Sequence, residues 1–397
     1  MHRKRIMVSL ILVLLLITCL VPCESVRAEE NEPSSTQLSL ECESAVLMEP
    51  LSGKIIYEKD KDKPLAPASV TKVMTLLLAF EAIDSGKIKY DDLVQVSAHA
   101  ASMGGSQVFL EEGETQTVDT MLKCVAVSSA NDAAVSLAEH IAGSEETFVK
   151  KMNHKAKQLG MNHTHFVNCC GLDAKDHVTT AYDIALMSRE LMVRHPDVFR
   201  YTTIWMDTFT HKTAKETKEF GLANTNKLIR HYEGATGLKT GSTSKAKFCL
   251  SATARRNDMD MLAVIMAAKD AKSRVREASK LLDYGFSNCK LYRSNIKLKK
   301  KTLPVQNGKK ETVSLQKPKL FRYVQVNAEQ SQKIKAKIKY QKDILAPVKK
   351  GQVLGQIDYF LNKEKIGSQK IRAKNKVEKW NFKDCFGKIV LRYLLQS

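Results

Sequence analysis

The apolar and polar positions of this chain fall into four textures. The first pairs a basic stretch, His2-Arg3-Lys4-Arg5, with a nearly pure aliphatic run over residues 6–21. That run is short for a bilayer span, and Val26-Arg27-Ala28 follows it as a small-residue cleavage signal. The pattern predicts a signal peptide over residues 1–28, with a retained membrane helix as the alternative.

The second texture, residues 29–288, mixes periods. Residues 44–50 read as a strand, Leu51-Ser52-Gly53 as a turn and residues 54–57 as the returning strand. Residues 70–83 are apolar on nearly every face, which predicts a buried helix. Pro67-Ala68-Ser69 precedes it, placing Ser69 at or near its N-terminus. Further helices are predicted over 118–128, 131–142, 145–159, 181–191 and 273–286. Thr180 and Asp183 have the spacing of a capping box. Residues 247–254 and 261–267 read as strands joined by a turn at Arg256-Asn257-Asp258. A strand near the start, helices, then strands and a closing helix describe an α+β domain. Its sheet takes strands from both ends of the segment and is covered by helices.

The third texture spans 289–375. Short β-like stretches at 312–315, 320–326, 334–340 and 353–360 are separated by Gly, Asn or Lys turns, and 334–340 alternates apolar residues with lysine. This predicts a small all-β domain. In the fourth, residues 376–397, Phe382, Phe386, Ile389 and Tyr393 follow helical spacing, with Lys383, Asp384, Lys388 and Arg392 on the other face. That is a cationic amphipathic helix, too charged to span a bilayer and suited to lie on an anionic membrane surface. Packing on its own domain is the alternative.

Composition narrows the function classes. The 397 residues carry a formal charge of +20. A basic exported protein suits anionic lipid or anionic wall polymer, and no nucleic-acid motif is present. If cleavage follows Ala28, seven cysteines remain: Cys42, Cys124, Cys169, Cys170, Cys249, Cys289 and Cys385. Their odd number and irregular spacing do not describe a disulfide scaffold, and no CxxC pair suggests a zinc knuckle. They read as small buried hydrophobes.

Candidate chemistry lies in three ordered motifs: Ser69-Val70-Thr71-Lys72, Ser129-Ala130-Asn131 and Lys239-Thr240-Gly241. A serine hydroxyl needs an adjacent base to attack at neutral pH, and residues three apart share a helix face. Lys72 is a base only when neutral, a form favoured by burial and by a second cation such as Lys239. Ser129 is placed to relay a proton, and Asn131 to hold Lys72 or a substrate carbonyl, unless the tripeptide is merely a helix cap. Lys239 and Thr240 suit a carboxylate and Gly241 a close backbone approach, unless they form a hairpin turn before the next strand. Other Ser-x-x-Lys matches, such as those starting at Ser242, Ser287 and Ser294, have no such sequel.

The three motifs together are shared by penicillin-binding proteins and class A β-lactamases. Over roughly residues 40–287 the chain resembles the low-molecular-mass penicillin-binding proteins, serine-type D-alanyl-D-alanine carboxypeptidases of peptidase family S11. Besides the three motifs, the resemblance rests on Asn224-Thr225-Asn226-Lys227-Leu228 and on Gly237-Leu238 before Lys239. It implies a β-lactamase/transpeptidase-like catalytic domain and a peptidoglycan stem peptide ending in D-Ala-D-Ala as substrate. β-Lactams are the implied inhibitors, no cofactor or metal serves the reaction, and the enzyme works at the outer face of the bacterial membrane. Ser69 becomes the acylated nucleophile and Lys72 its base, with Ser129 and Asn131 in proton transfer and substrate positioning. Lys239 and Thr240 hold the terminal carboxylate, and the N–H groups of Ser69 and Ser242 form the oxyanion hole. The family's frequent Asn-Pro-x-Gly-Leu appears as Asn168-Cys169-Cys170-Gly171-Leu172, which leaves that loop's shape open.

A β-lactamase is the nearest rival. The class A type activates water with a glutamate between the second and third motifs, and no Glu occurs between Glu146 and Glu190. A transpeptidase or endopeptidase on the same site is a second rival, and a basic wall- or lipid-binding protein without enzymatic activity is a third.

Overall fold

The computed structural model describes residues 38–213, 217–294, 296–326 and 333–382, together with positions 384, 386, 387, 390 and 394. The predicted signal peptide lies outside the described residues.

Strand β1 (Ser44–Glu49) is buried at every position and runs between β2 (Lys54–Lys59) and β9 (Met259–Ala268). With β8 (Lys247–Arg256) and β7 (Ala235–Thr243) they make an antiparallel sheet in the order β2-β1-β9-β8-β7. Ser44 faces Met266 across the β1–β9 pair, so the sheet joins distant parts of the chain as the sequence predicts. Burial along both β1 and β9 means that both sheet faces are covered. The Ala271–Asn288 helix packs on β8 and β9, and the Ala181–Arg194 helix on β1 and β9.

The Lys72–Asp84 helix is buried from Lys72 to Ala82 on every turn, as its uniformly apolar sequence requires. Around it stand the helices Val118–Val127, Asn131–Ala142 and Glu145–Gln158. Thr117, Ser144, Thr180 and Asp270 each accept a hydrogen bond from a backbone N–H of the turn they open. The capping box at Thr180 is only half made. Asp183 accepts instead from the His163 N–H and the Thr164 hydroxyl, tying the Ala181–Arg194 helix to the loop before it. Two ribbons escape the sequence pattern: β3 (Leu93–Gln95) with β4 (Thr115–Thr117), and β5 (Met206–Lys212) with β6 (Thr217–Ala223).

A second hydrophobic core begins beyond Asn288. Strand β10 (Cys289–Arg293) pairs with β13 (Arg322–Val326), and β11 (Thr302–Pro304) with β12 (Thr312–Ser314). Strands β14 (Ile334–Tyr340), β15 (Val353–Leu361) and β16 (Glu364–Arg372) form a meander. Lys335, Lys337 and Lys339 of β14 are exposed, the half-solvated strand that the alternation predicts. Tyr359 is fully buried and stacks on Phe321 at 3.8 Å.

This β-rich unit holds the chain a little past residue 375. Val377 is buried and bridges to Val348, Lys379 bridges to Gly308, and the Trp380 N–H donates to the Asn307 carbonyl. Beyond it, the described residues Phe382, Asp384, Phe386, Gly387, Val390 and Leu394 are helical. Phe382 is 84% exposed and Leu394 65%, while Asp384 pairs with Lys309 at 2.9 Å. Lys383, Lys388, Ile389, Arg392 and Tyr393 lie outside the described residues. No helix among the described residues is long and apolar enough to cross a membrane.

Candidate active site

Ser69 sits in a tight turn, Ala68–Thr71, that leads into the Lys72–Asp84 helix. Strand β7 passes directly against this turn. A Cβ placed on Gly241 would come within 2.9 Å of the Ser69 and Val70 backbone nitrogens. Gly241 therefore clears the space in front of the nucleophile's own N–H groups. The Lys239-Thr240-Gly241 motif lies inside β7, whereas the sequence pattern places it before a strand. Two glycines, Gly237 and Gly241, disguise that strand.

Gly171 makes the second close approach. It has φ +86°, and a Cβ there would lie 1.8 Å from the Ala68 carbonyl oxygen. The 168–172 loop is thus pressed onto the nucleophile turn. Its shape, left open by the missing proline, is set by Asn168, whose Oδ1 accepts from the N–H groups of Cys170, Gly171 and Leu172.

Lys72 is completely buried, yet its amine reaches Ser69 Oγ at 3.0 Å, Asn131 Oδ1 at 2.6 Å and the Cys170 carbonyl at 2.9 Å. An ammonium has three protons for these oxygens. A neutral amine keeps two N–H groups and one lone pair. Asn131 Oδ1 and the Cys170 carbonyl can only accept, so in the neutral form both protons point to them and the lone pair is left for the Ser69 hydroxyl. Burial pushes the Lys72 pKa below the usual lysine range, against the opposing influence of Cys170, Cys169 and Asp132.

Asn131 is fixed in turn. Its Nδ2 donates to the Gly104 carbonyl at 2.6 Å and its N–H to the Ser106 carbonyl at 2.7 Å. Asp132, next in sequence, accepts from the N–H groups of Val108 and Leu110, which holds that segment beside the site. Ser129 lies between the Val118–Val127 and Asn131–Ala142 helices with φ +61°, a left-handed conformation that costs a non-glycine residue of order 1–3 kcal/mol. Its hydroxyl is buried without a hydrogen-bond partner among the described residues. An unpaired buried hydroxyl on a strained backbone suits a group whose partner arrives with substrate.

Lys239 is 1% exposed, and among the described residues its amine donates only to the Thr240 carbonyl, at 3.2 Å. Burial, then the charges of Lys72 and Arg274, hold its pKa well below the ordinary lysine value. Arg274, from the closing helix, is also buried and donates to the carbonyls of Gly241 and Cys249. Among the described residues no carboxylate pairs with Lys239 or Arg274. The result is a buried cationic corner suited to a substrate carboxylate. Thr240 Oγ1 donates to Thr225 Oγ1 at 2.7 Å, and Asn226 Nδ2 to the Gly237 carbonyl at 2.9 Å, so the 224–226 segment braces β7. Ser242, next to Gly241 in β7, is exposed. The lysines of the rival Ser-x-x-Lys matches named above, Lys245, Lys290 and Lys297, are exposed.

The structure brings Ser69 and Asn131 each into contact with Lys72 and lays the strand of Lys239, Thr240 and Gly241 against the Ser69 turn. Sequence reasoning missed Arg274 and the Cys170 carbonyl. No local pattern marks either, because Arg274 acts on carbonyls far away in the chain and the Cys170 group is backbone.

The profile of the D-alanyl-D-alanine carboxypeptidase family, peptidase S11, matches residues 29–270. The chain belongs to this family. The profile of the penicillin-binding protein 5 C-terminal domain matches residues 286–379. The D-alanyl-D-alanine carboxypeptidase DacF of Bacillus subtilis is 41% identical over 382 residues, covering 96% of each chain. Among solved structures, penicillin-binding protein 3 of Streptococcus pneumoniae, described as a peptidoglycan synthesis regulatory factor, superposes with a TM-score of 0.71 and 29% identity. That match covers 86% of this chain and all of the other. Penicillin-binding protein 5 of Haemophilus influenzae gives 0.67 and 30%, covering 86% and 98%.

Proposed function

We propose that this member of the S11 family removes the terminal D-alanine from peptidoglycan stem peptides through an acyl-enzyme on Ser69. The observation that carries this reading is the buried Lys72 amine, bonded to Ser69 Oγ and to two fixed acceptors, beside buried Lys239 and Arg274, with which no carboxylate pairs among the described residues.

The stem peptide's terminal carboxylate binds Lys239 and Thr240, with Arg274 adding to the field. Ser69 Oγ attacks the penultimate carbonyl while Lys72 takes its proton. Charge developing on the carbonyl oxygen is met by the N–H groups of Ser69 and Ser242, and Gly241 leaves room for it. Lys72 or Ser129 returns a proton to the departing amine, D-alanine leaves, and water cleaves the ester. A β-lactam takes the same path to the ester, but its leaving group stays tethered and deacylation is slow.

The proposal extends to the ends of the chain. Residues 1–28 direct export and are removed, and the helical tail beyond Trp380 lays its apolar face on the anionic membrane surface. Exposed Phe382, Phe386 and Leu394 support this. Against the β-lactamase reading, Glu145 is bound to the Cys169 N–H and to His99, with no contact to Ser69.

The test is D-alanine release from a peptide ending in D-Ala-D-Ala. Release by residues 29–380 that is lost in Ser69→Ala supports the reading. Rapid penicillin turnover without D-alanine release favours a β-lactamase, and neither activity favours a binding protein.

A further inference from the structure

Beneath the loop that holds Lys72 lies a side-chain cluster that the proposed reaction does not use. Cys169 and Cys170 are both fully buried, and their sulfurs are 3.7 Å apart. The Glu145 carboxylate joins them, and one ligand atom from each residue lies within 4.8 Å of the others. Glu145 Oε1 accepts from the Cys169 N–H at 3.0 Å, and Oε2 meets His99 Nε2 at 2.9 Å.

The dimensions suit one ion. Two thiolates on a tetrahedral zinc, with bonds of about 2.3 Å, stand about 3.8 Å apart. The two sulfurs already have that separation, so an ion entering between them need not pull the loop out of shape. The carboxylate supplies a third ligand, and His99 orients it as outer-sphere partners of metal ligands do. Thiolates select a soft or borderline cation over calcium or magnesium.

Of the three residues, Glu145 reaches the surface. The Glu145 side chain is 16% exposed, and it lines a cleft of about 740 Å³ with His99, Glu139, His165 and the paired Glu146 and Lys150. Glu139 and the two imidazoles there would draw a cation toward Glu145, the ligand of the cluster that reaches the cleft.

We propose that Cys169, Cys170 and Glu145 form a binding site for a zinc-like divalent cation, separate from the acyl-transfer centre. Binding forms two metal–sulfur bonds and one metal–oxygen bond, and both thiol protons leave to solvent. Two positive charges enter as two protons depart, so the formal charge near Lys72 is unchanged. The ion takes no part in the reaction. It ties the Glu145–Gln158 helix to the loop whose Cys170 carbonyl holds Lys72, and so acts as a staple.

The test uses the full-length chain, reduced and stripped of metal, titrated with Co²⁺ as a coloured substitute for Zn²⁺. The expected result is a thiolate-to-cobalt charge-transfer band that saturates at one ion per chain and is abolished by Zn²⁺. Zinc should also raise the melting temperature. Cys169→Ser and Cys170→Ser should each lose the band. Glu145→Gln, a change at a partly exposed position, should keep the fold and weaken cobalt binding by about 10–100-fold. Wild-type protein with no thiolate band overturns the proposal. So does a band that persists in Cys169→Ser, since it would belong to other cysteines.

Discussion

A methyl group on Gly241 would stand 2.9 Å from the backbone nitrogen of Ser69. This contact joins the third motif to the first and defines the space in which an oxyanion must sit. Gly241→Ala should therefore slow penicillin acylation by about 10²–10³-fold, the scale of a lost oxyanion-hole donor. Stopped-flow acylation checks this. A rate near wild type would show that the space is not used.

Lys72 is held by two acceptors that leave its lone pair for Ser69. Lys72→Arg keeps a cation but cannot accept a proton at any working pH. Acylation should fall by about 10²–10⁴-fold, the usual worth of a general base. Because the neutral amine is the active form, the wild-type rate should rise with pH through the Lys72 titration. Burial sets that midpoint below the ordinary lysine value. A rate that falls with rising pH through this limb would contradict the assignment.

Lys239 and Arg274 are buried beside the site, and no carboxylate pairs with either among the described residues. Lys239→Gln should lower kcat/KM on a D-Ala-D-Ala peptide by about 10–100-fold, as expected for a lost charge-assisted hydrogen bond of about 1.5–3 kcal/mol. A peptide amidated at its C-terminus should show little further loss with this variant. Equal losses on both peptides would remove the carboxylate from the account.

Much of this site was legible, for identifiable reasons. Ser69 and Lys72 stand out because they lead into a helix that is apolar all round, which buries the lysine at its first turn. Strand β7 was hidden because Gly237 and Gly241 read as turn residues. Both are required by close approach, Gly237 to Thr202 and Gly241 to the Ser69 turn. The β5–β6 ribbon was missed because its outward positions are polar and it buries little beyond Phe209, His211 and Leu222. Arg274 lies on a helix whose pattern is legible, but its partners are carbonyls brought near only by the sheet.

His177 links the nucleophile turn to the loop after it. The Val167 N–H donates to His177 Nδ1, which leaves the Nε2 proton for Thr71 Oγ1 at 2.9 Å. Burial, then nearby His165, pushes the His177 pKa down to about 4. In the unfolded chain the ring takes its proton near pH 6.5, whereas the folded protein resists until about 4. Stability attributable to this ring should be complete above pH 6.5 and fall as pH drops toward 4, by about 3 kcal/mol in all. Denaturant melts of wild type and His177→Gln across this window check the sign. A variant with the same acid slope as wild type would refute it.

Asp384 pairs with Lys309, while Phe382 and Phe386 remain exposed. Deleting residues 381–397 should release the protein from anionic vesicles and leave peptide hydrolysis intact. A cut at 375 should also destabilise the β-rich unit, because it removes buried Val377. Co-sedimentation with vesicles and thermal melts separate the two effects. Unchanged vesicle binding by the 381–397 deletion would rule out the anchor.

The most direct measurement of the central claim is intact-protein and peptide mass spectrometry after brief exposure of residues 29–380 to penicillin. The account predicts a single lasting adduct on the peptide containing Ser69, absent from Ser69→Ala and formed far more slowly in Lys72→Arg. An adduct on another residue, or one formed equally fast without the Lys72 amine, would contradict it.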